Sequence, residues 1–530
     1  MKYTFLFFQI GGDFLSIAQR VKEEGHNIYF YKQKGMVKGR EETGAGIFEK
    51  EELTNDAWEI INKTSKEELI ILLDDNGEGD MADFLRRDGY MVIGGSSYGD
   101  KIEYERSLGL DLMEETGLDV PFEKNFTKID DAVAWLESQE EEARFVFKPE
   151  GEEFAGSAKT YTAKNRQDLI DYLTWIKEDC LSKHYTVAKF VLQEFVEGIE
   201  ADFAGWFNGK EFLKETCLLD IEEKKSGDGN KGEATGCMGN IVINFPESKY
   251  FDKYIKPLEA KLAEVGYIGE ISINNIFAKA EGNDNKNKEY IAGEPYGIEY
   301  TPRMGWDAHL AELAMIKYTG GKVSDFYIAL AKHQQYQMPV YLAACGVRVY
   351  TGSISLKKDE VAGRYFSFDK EVEPYLWFYS ASKTKAGFSI EDNPVLVINT
   401  VSESIQEAID QAYTMLKDNV AVPDAYYRTE IGKRAEEVVS FLTKYGWLGV
   451  KKQKVEEDQV DTVQEEEQQA KTLPEQLKEA DDETDKVMVL RMAREQMGSK
   501  FDSFLREMLR EKLITRSTIH LMRTQELLRY

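Results

Sequence analysis

Between Pro295 and Leu313 the chain reads PYGIEYTPRMGWDAHLAEL: a short apolar strand ending in Glu299, then a proline, Arg303, a glycine and a helix. Where a strand feeds a helix, folds that alternate the two build their sites, because the backbone is fixed while side chains project into the crevice. A carboxylate there suits a magnesium ion and a guanidinium suits an anion, although two such residues taken alone are more commonly a surface ion pair. Three other stretches give them company. RFVFKPEGEEFAGSAKTY sets Lys148 at a strand end before a loop holding Gly151 and Gly156. That arrangement suits polyphosphate, since an ammonium and backbone N–H groups converge on the same oxygens; Glu150, Glu152 and Glu153 make the loop acidic and weigh against it. VLQEFVEGIEADFAGW reads as strand, turn at Gly198 and strand. It is either an ordinary hairpin or a connecting segment whose backbone meets an adenine edge while a carboxylate further on accepts from ribose hydroxyls. Gly227 to Asn240, GDGNKGEATGCMGN, is a glycine-rich loop able to close over a reacting group and exclude water.

The elements that must hold these residues follow from periodicity. The first 120 residues alternate short apolar strands (KYTFLFFQI, NIYFY, ELIILLDD, YMVIGG) with amphipathic helices (FLSIAQRVKEEG, DAWEIINK, MADFLRRDG), the pattern of a parallel sheet covered on both faces. Gly11 and Gly12 after the first strand fall short of a dinucleotide fingerprint. Residues 121–320 mix hairpin-like strands with separate helices, an α+β texture, with EGNDNKNK at 281–288 as a polar hairpin tip. Residues 321–448 open with a helix, continue through PVYLAACGVRVYTG and PVLVINTV, and close with SIQEAIDQAYTML and IGKRAEEVVSFL. Residues 449–485 are densely charged and almost free of aromatics, as a solvated linker is, and residues 486–530 regain apolar spacing as amphipathic helices. The expectation is a multidomain α/β and α+β protein of about three or four domains.

Composition narrows the classes of function. With 42% hydrophobic residues and a net charge of −29, the chain is globular and lacks the clustered Lys and Arg that a nucleic-acid duplex requires. Cys180, Cys217, Cys237 and Cys345 lie far apart, as reduced thiols of a cytoplasmic protein do. The five histidines contain no pair at metal-ligand spacing, and His309 reads as helix packing rather than as a ligand. The opening MKYTFLFFQIGGDF has no cleavable small-residue site and reads as a buried strand, and no run approaches membrane-spanning length.

Taken in order, EYERSLGLDLMEETGLDVP, FVFKPEG, VLQEFVEGIEADF, ATGCMG, GIEYTPRMG and the late YYRTEIGKRA resemble the ATP-grasp ligases, and most of all phosphoribosylamine:glycine ligase (glycinamide ribonucleotide synthetase), over about residues 1 to 445. The resemblance implies an ATP-grasp fold: an N-terminal parallel-sheet pre-ATP-grasp domain (1–120), the ATP-grasp domain (121–320), a C-terminal α/β ligase-type domain (321–448) and an added helical tail. It implies a C–N ligase of purine biosynthesis, in which ATP phosphorylates a carboxylate, an amine displaces the phosphate, and ADP and phosphate leave. Glycine or a similar amino acid would be the acyl donor, and phosphoribosylamine or another amine-bearing nucleotide or sugar the acceptor. By the same resemblance Arg106 and Lys148 touch the nucleotide phosphates, and Gln193 lies beside the adenine amino group, with the backbones of Glu194 and Val196 completing that contact. Glu200 binds the ribose, Glu299 holds magnesium, for which manganese can substitute, and Arg303 faces the reacting phosphate or carboxylate.

The chain departs from the family pattern at three places. Thr301 stands where the family has an asparagine as second metal ligand; a hydroxyl coordinates magnesium weakly, and Asn274 on the preceding strand is an alternative oxygen donor. The family's GGREHA becomes Gly11, Gly12, Asp13, Phe14, Leu15 and Ser16, and an acidic LLDDNGEGD replaces its GPEAPL-type turn. Acidic residues repel phosphate, which argues for a different acceptor. The competing reading is a catalytically inactive ATP-binding scaffold that acts through its C-terminal helices. There Phe501, Phe504, Leu505, Met508 and Leu509 form one apolar face, either a small helical cap or a docking surface for a second copy or another protein. Truncation after Gly449 is therefore expected to leave folding and nucleotide binding intact while changing self-association or a partner interaction. Light-scattering mass and a nucleotide titration check this, and a truncated chain that fails to fold would place the tail in the catalytic core.

Overall fold

The computed structural model describes residues 1–9, 12–32, 42–149, 160–183, 189–279, 282–283, 289–356 and 358–449, together with Lys486 and Leu490. The expectations for Gly151, Gly156 and their acidic neighbours, and for the charged linker and the tail helices, fall outside these residues.

Strands β1 (Thr4–Gln9), β2 (Asn27–Lys32), β3 (Leu53–Thr54), β4 (Leu69–Leu73) and β5 (Met91–Ile93) form a sheet in the order β3-β2-β1-β4-β5. Every pair in it is parallel. Helices α1 (Leu15–Glu23), α2 (Ala57–Lys63) and α3 (Gly79–Arg87) alternate with the strands. Each residue of β4 is buried, as a continuous apolar run must be when helices cover both faces of its sheet. The four expected strands are all present; β3, two residues long, carries no periodicity to read.

Helices α4 (Ser97–Tyr104) and α5 (Arg106–Glu115) lead to a small antiparallel sheet of β6 (Glu123–Phe126), β7 (Phe145–Pro149), β8 (Tyr161–Thr162) and β9 (Phe190–Glu194), ordered β6-β9-β7-β8. Phe145, Phe147, Phe190 and Leu192 pack in one cluster with residues of α6 (Ile129–Glu137) and α7 (Arg166–Lys183). Since successive strand residues alternate faces, Glu123, Lys148 and Gln193 share the opposite face.

The larger sheet contains β10 (Gly198–Phe207), β11 (Cys217–Glu222), β14 (Gly239–Phe245), β15 (Gly269–Ala278), β18 (Pro295–Thr301) and β19 (Ala343–Thr351), with strands Leu396–Ser402 and Leu376–Phe378 beyond. Their order is β18-β15-β10-β11-β14-β19 and then those two strands, so one sheet takes strands from both sides of residue 320. The short pairs β12 (Lys225–Gly227) with β13 (Lys231–Ala234) and β16 (Gly282–Asn283) with β17 (Glu289–Tyr290) project as hairpins. Because β9 and β10 belong to different sheets, VLQEFVEGIEADFAGW is not a hairpin but the passage between two sheets. Nor is the glycine-rich stretch after Gly227 a free loop. It turns at Gly229 and Asn230, whose φ angles of 69° and 56° are left-handed, and the hairpin is tied down by Tyr426 donating to the Ser226 carbonyl (2.6 Å) and Arg428 to the Lys225 carbonyl (3.0 Å).

Helix α8 (Glu259–Glu264) precedes β15, and α9 (Trp306–Tyr318) follows β18. The chain stays docked as far as Gly449: Trp447 is fully buried, its indole donating to the Gly293 carbonyl at 2.6 Å. Among the described residues no helix is long and apolar enough to cross a membrane, and Cys217, Cys237 and Cys345 are free buried thiols. α9 is pinned by a buried ion pair. Arg348 of β19 reaches Asp307 with Nη2 at 2.7 Å and Nε at 3.0 Å, and the Tyr379 hydroxyl donates to the same carboxylate at 2.7 Å. Removing one member of such a pair leaves the other buried without a counter-charge, so Arg348→Ala is expected to lower unfolding free energy by about 3–5 kcal/mol. Denaturant titration checks this; a loss under about 1 kcal/mol, the scale of a surface pair, would mean that the pair is solvated.

Candidate functional site

Glu299 near the end of β18 gathers the site. Asn274 pairs with it across the sheet, its Nδ2 donating to Oε1 at 3.3 Å, and Arg106, the first residue of α5, donates to Oε2 at 2.8 Å. Burial alone would raise the pKa of this carboxyl; the charges of Arg106, Lys148 and Lys224 outweigh burial and bring it down to about 2. Glu299 is therefore an anion at any working pH. The Asn274 amide, having turned its nitrogen to Glu299, keeps its oxygen as a donor for a hard cation.

Lys148 projects from the facing small sheet. Its ammonium nitrogen is buried with no hydrogen-bond partner, and burial, then the neighbouring Arg106, lowers its pKa to about 7 although Glu299 and Glu123 pull the other way. On the same strand face, Gln193 has a buried and equally unpartnered Nε2. Leaving a buried donor unmatched costs about 1–3 kcal/mol, and both orphans are met by a ligand rich in acceptor oxygens and ring nitrogens. The residues thus fit a nucleoside polyphosphate. The backbone N–H of Glu194 already donates to the Phe122 carbonyl at 2.8 Å, and its carboxylate accepts from the Tyr290 hydroxyl at 3.3 Å. Val196 packs its side chain with Ala278, Tyr290 and Tyr296, which leaves only its backbone for recognition.

Glu200 is occupied by a residue that sequence reasoning missed. Lys224, just past β11, donates to Glu200 at 2.7 Å and lies 3.2 Å from Glu222 and 4.0 Å from Asp202. Asp202 and Asp220 stand directly opposite one another on β10 and β11; burial and then the charge of Glu222, with Glu200 acting on Asp202 and Asp202 on Asp220, push both well above the usual carboxylate range although Lys224 opposes the shift. Asn240 donates to Asp220 at 3.0 Å. The available signal was the alternation of Asp220 and Glu222 in an otherwise apolar CLLDIE, and Asp202 breaking an apolar β10. Arg303 stands apart from this group, its Nε 3.1 Å from both Asp75 and Glu103, carboxylates of the N-terminal 120 residues. Thr301 pairs with Ser272, two register steps from the pairing of Glu299 with Asn274. The structure therefore joins Arg106, Lys148, Asn274, Glu299 and, through Lys224, Glu200, with Gln193 on the Lys148 face. It holds Arg303 between two carboxylates.

Residues 105–258 match the family described as phosphoribosylglycinamide synthetase, ATP-grasp (A) domain. No curated protein matches the chain. Among solved structures it is similar to phosphoribosylamine–glycine ligase from Thermotoga maritima, with a TM-score of 0.59 at 16% identity over 81% of this chain and 100% of that one. It is similar also to the biotin carboxylase–β-γ-ATP complex from Campylobacter jejuni, with a TM-score of 0.55 at 11% identity over 84% and 97%. A third is the biotin carboxylase domain of Hydrogenobacter thermophilus 2-oxoglutarate carboxylase with MgADP, with a TM-score of 0.52 at 12% identity over 83% and 99%. The chain has the ATP-grasp fold.

A pKa near 7 for Lys148 has a measurable consequence. Above that pH the amine is largely neutral, and a polyphosphate anion beside it favours the ammonium and raises its pKa. Binding is expected to take up a proton between about pH 7 and 9 and none below about pH 6. Calorimetry in buffers of different ionisation enthalpy measures the uptake. Lys148→Met removes it; uptake unchanged in that variant would assign the proton to another group.

Proposed function

We propose that this ATP-grasp chain is an ATP-dependent carboxylate:amine ligase: the carboxylate is activated as its acyl phosphate, an amine displaces phosphate, and ADP and phosphate leave. The observation that carries the reading is the convergence on one ionised, half-buried carboxylate, Glu299, of Arg106, Lys148 and Lys224, beside two buried donors, of Lys148 and Gln193, that lack partners. A set of cations around a metal-ready carboxylate suits phosphoryl transfer, in which the protein positions charge and does little covalent chemistry.

In this reading Lys148 and Arg106 hold the polyphosphate, and Gln193 with the backbones of Glu194 and Val196 meets the adenine edge. The Glu194 amide is committed to Phe122, so its carbonyl is the group for the adenine amino hydrogens. Glu200 accepts from the ribose after exchanging part of its contact with Lys224. Glu299, the Asn274 oxygen and Thr301 would hold magnesium, or manganese in its place, which when bound neutralises phosphate charge. Arg303 orients the reacting carboxylate while Asp75 and Glu103 fix its fork. Glycine or a similar amino acid fits as acyl donor. The two carboxylates on Arg303 are like charge to a phosphorylated acceptor, which supports an amine-bearing sugar without phosphate over phosphoribosylamine or an amine-bearing nucleotide.

Turnover is tested by ADP release with a panel of amino acids and amines. Lys148→Ala is expected to keep its fold by circular dichroism and to lose about 2–4 kcal/mol of transition-state stabilisation, roughly 30- to 1000-fold in rate. Glu299→Gln is expected to shift the magnesium titration upward, since a neutral amide holds a hard cation less well. ATP binding without ADP release under any acceptor would favour the scaffold reading instead.

A further inference from the structure

Four residues before Asn274 on β15, Glu270 pairs in register with Trp206 of β10, and α9 lays His309 and Glu312 against it. One donor atom from each of Glu270, His309 and Glu312 lies within 4.8 Å of the others, and all three residues are at most 2% exposed. We propose that these three side chains bind one divalent first-row transition-metal ion, at a centre separate from Glu299.

Each of the three is held from behind, as metal ligands are when outer partners fix their orientation. Trp206 Nε1 donates to Glu312 Oε2 at 2.7 Å, the Gly305 N–H donates to Glu270 Oε2 at 2.9 Å, and His309 Nε2 lies 2.6 Å from the Tyr327 hydroxyl. These contacts leave Glu312 Oε1 and His309 Nδ1 buried without any hydrogen-bond partner. Nδ1 also points into the cluster, 3.6 Å from Glu312 Oε2. Two carboxyl groups and an imidazole nitrogen form a centre rich in acceptors. Donors of one nitrogen and two oxygens suit zinc, manganese or cobalt, whereas magnesium prefers oxygen alone. Metal–ligand distances of about 2.0–2.2 Å at tetrahedral angles place donors about 3.4 Å apart, so closing a triad whose donors lie within 4.8 Å of one another takes side-chain shifts of up to about 1.4 Å. His309 packs on Trp206, Phe326 and Tyr327 as expected of a helix-packing residue, and the third donor, Glu270, arrives from a strand distant in sequence.

The test uses the full chain, stripped with chelator and dialysed without nucleotide against Zn2+, Mn2+ or Co2+ in turn. Elemental analysis, the visible absorption of bound Co2+ and the melting temperature are recorded. Wild type is expected to retain about one ion per chain and to melt about 5 °C higher when loaded. Glu270→Gln preserves shape and an acceptor for Gly305, folds, and loses both the ion and the shift; His309→Gln behaves likewise, and Glu299→Gln keeps both. The proposal is overturned if the dialysed wild type holds no stoichiometric metal and shows no shift, or if Glu270→Gln and His309→Gln bind as wild type does.

Discussion

Glu299, a half-buried carboxylate, stays ionised because positive charge surrounds it. Its three cations come from three places: Arg106 opens α5, Lys148 ends a strand of the small sheet, and Lys224 follows β11 of the large one. The charge therefore ties the two sheets together across the cleft, since moving them apart would separate Glu299 from Lys148. The converse also holds. Lys148 is close to losing its proton because burial and Arg106 act against it, so the cleft holds about as much positive charge as its own carboxylates can support.

Local patterns were legible in the sequence and long-range registers were not. The parallel sheet of the first 120 residues could be read strand by strand, because a run such as LIILL reports its own burial. Lys148, Arg106 and Glu299 were readable through their motifs. Lys224 was not, because EEKK looks like a solvated charge run until β10 and β11 bring Glu200, Asp202 and Glu222 around it. The link from β9 to β10 could be read as a hairpin or as a connecting segment for the same reason: nothing local says that two successive strands join different sheets. The glycine-rich stretch proved to be a tethered hairpin because its anchors, Tyr426 and Arg428, lie about two hundred residues downstream.

Arg303 shows how the N-terminal region is coupled to the site. The acidic LLDDNGEGD turn, which on the sequence stands where the resemblance expects phosphate binding, delivers Asp75 to the guanidinium, with Glu103 of α4 beside it. Those carboxylates raise the pKa of Arg303 against the opposing effect of burial. The first 120 residues thus contribute counter-charge as well as a covering surface, and their acidity has a specific structural partner.

The large sheet also dictates the order in which the chain can become a protein. Its first five strands in sequence, β10 to β18 without the hairpins, end at Thr301, yet Ile241 of β14 pairs with Cys345 and Val347 pairs with Ile398. During synthesis the N-terminal parallel sheet, complete at Ile93, can form early from near neighbours. The β14 edge, an apolar GNIVINF, must wait with its N–H and C=O groups unpaired until β19, about a hundred residues later, has emerged. An exposed apolar edge is a template for pairing with the wrong strand, and distant pairings form slowly. The interval between Phe245 and Ser402 leaving the ribosome is therefore when this chain most needs a chaperone.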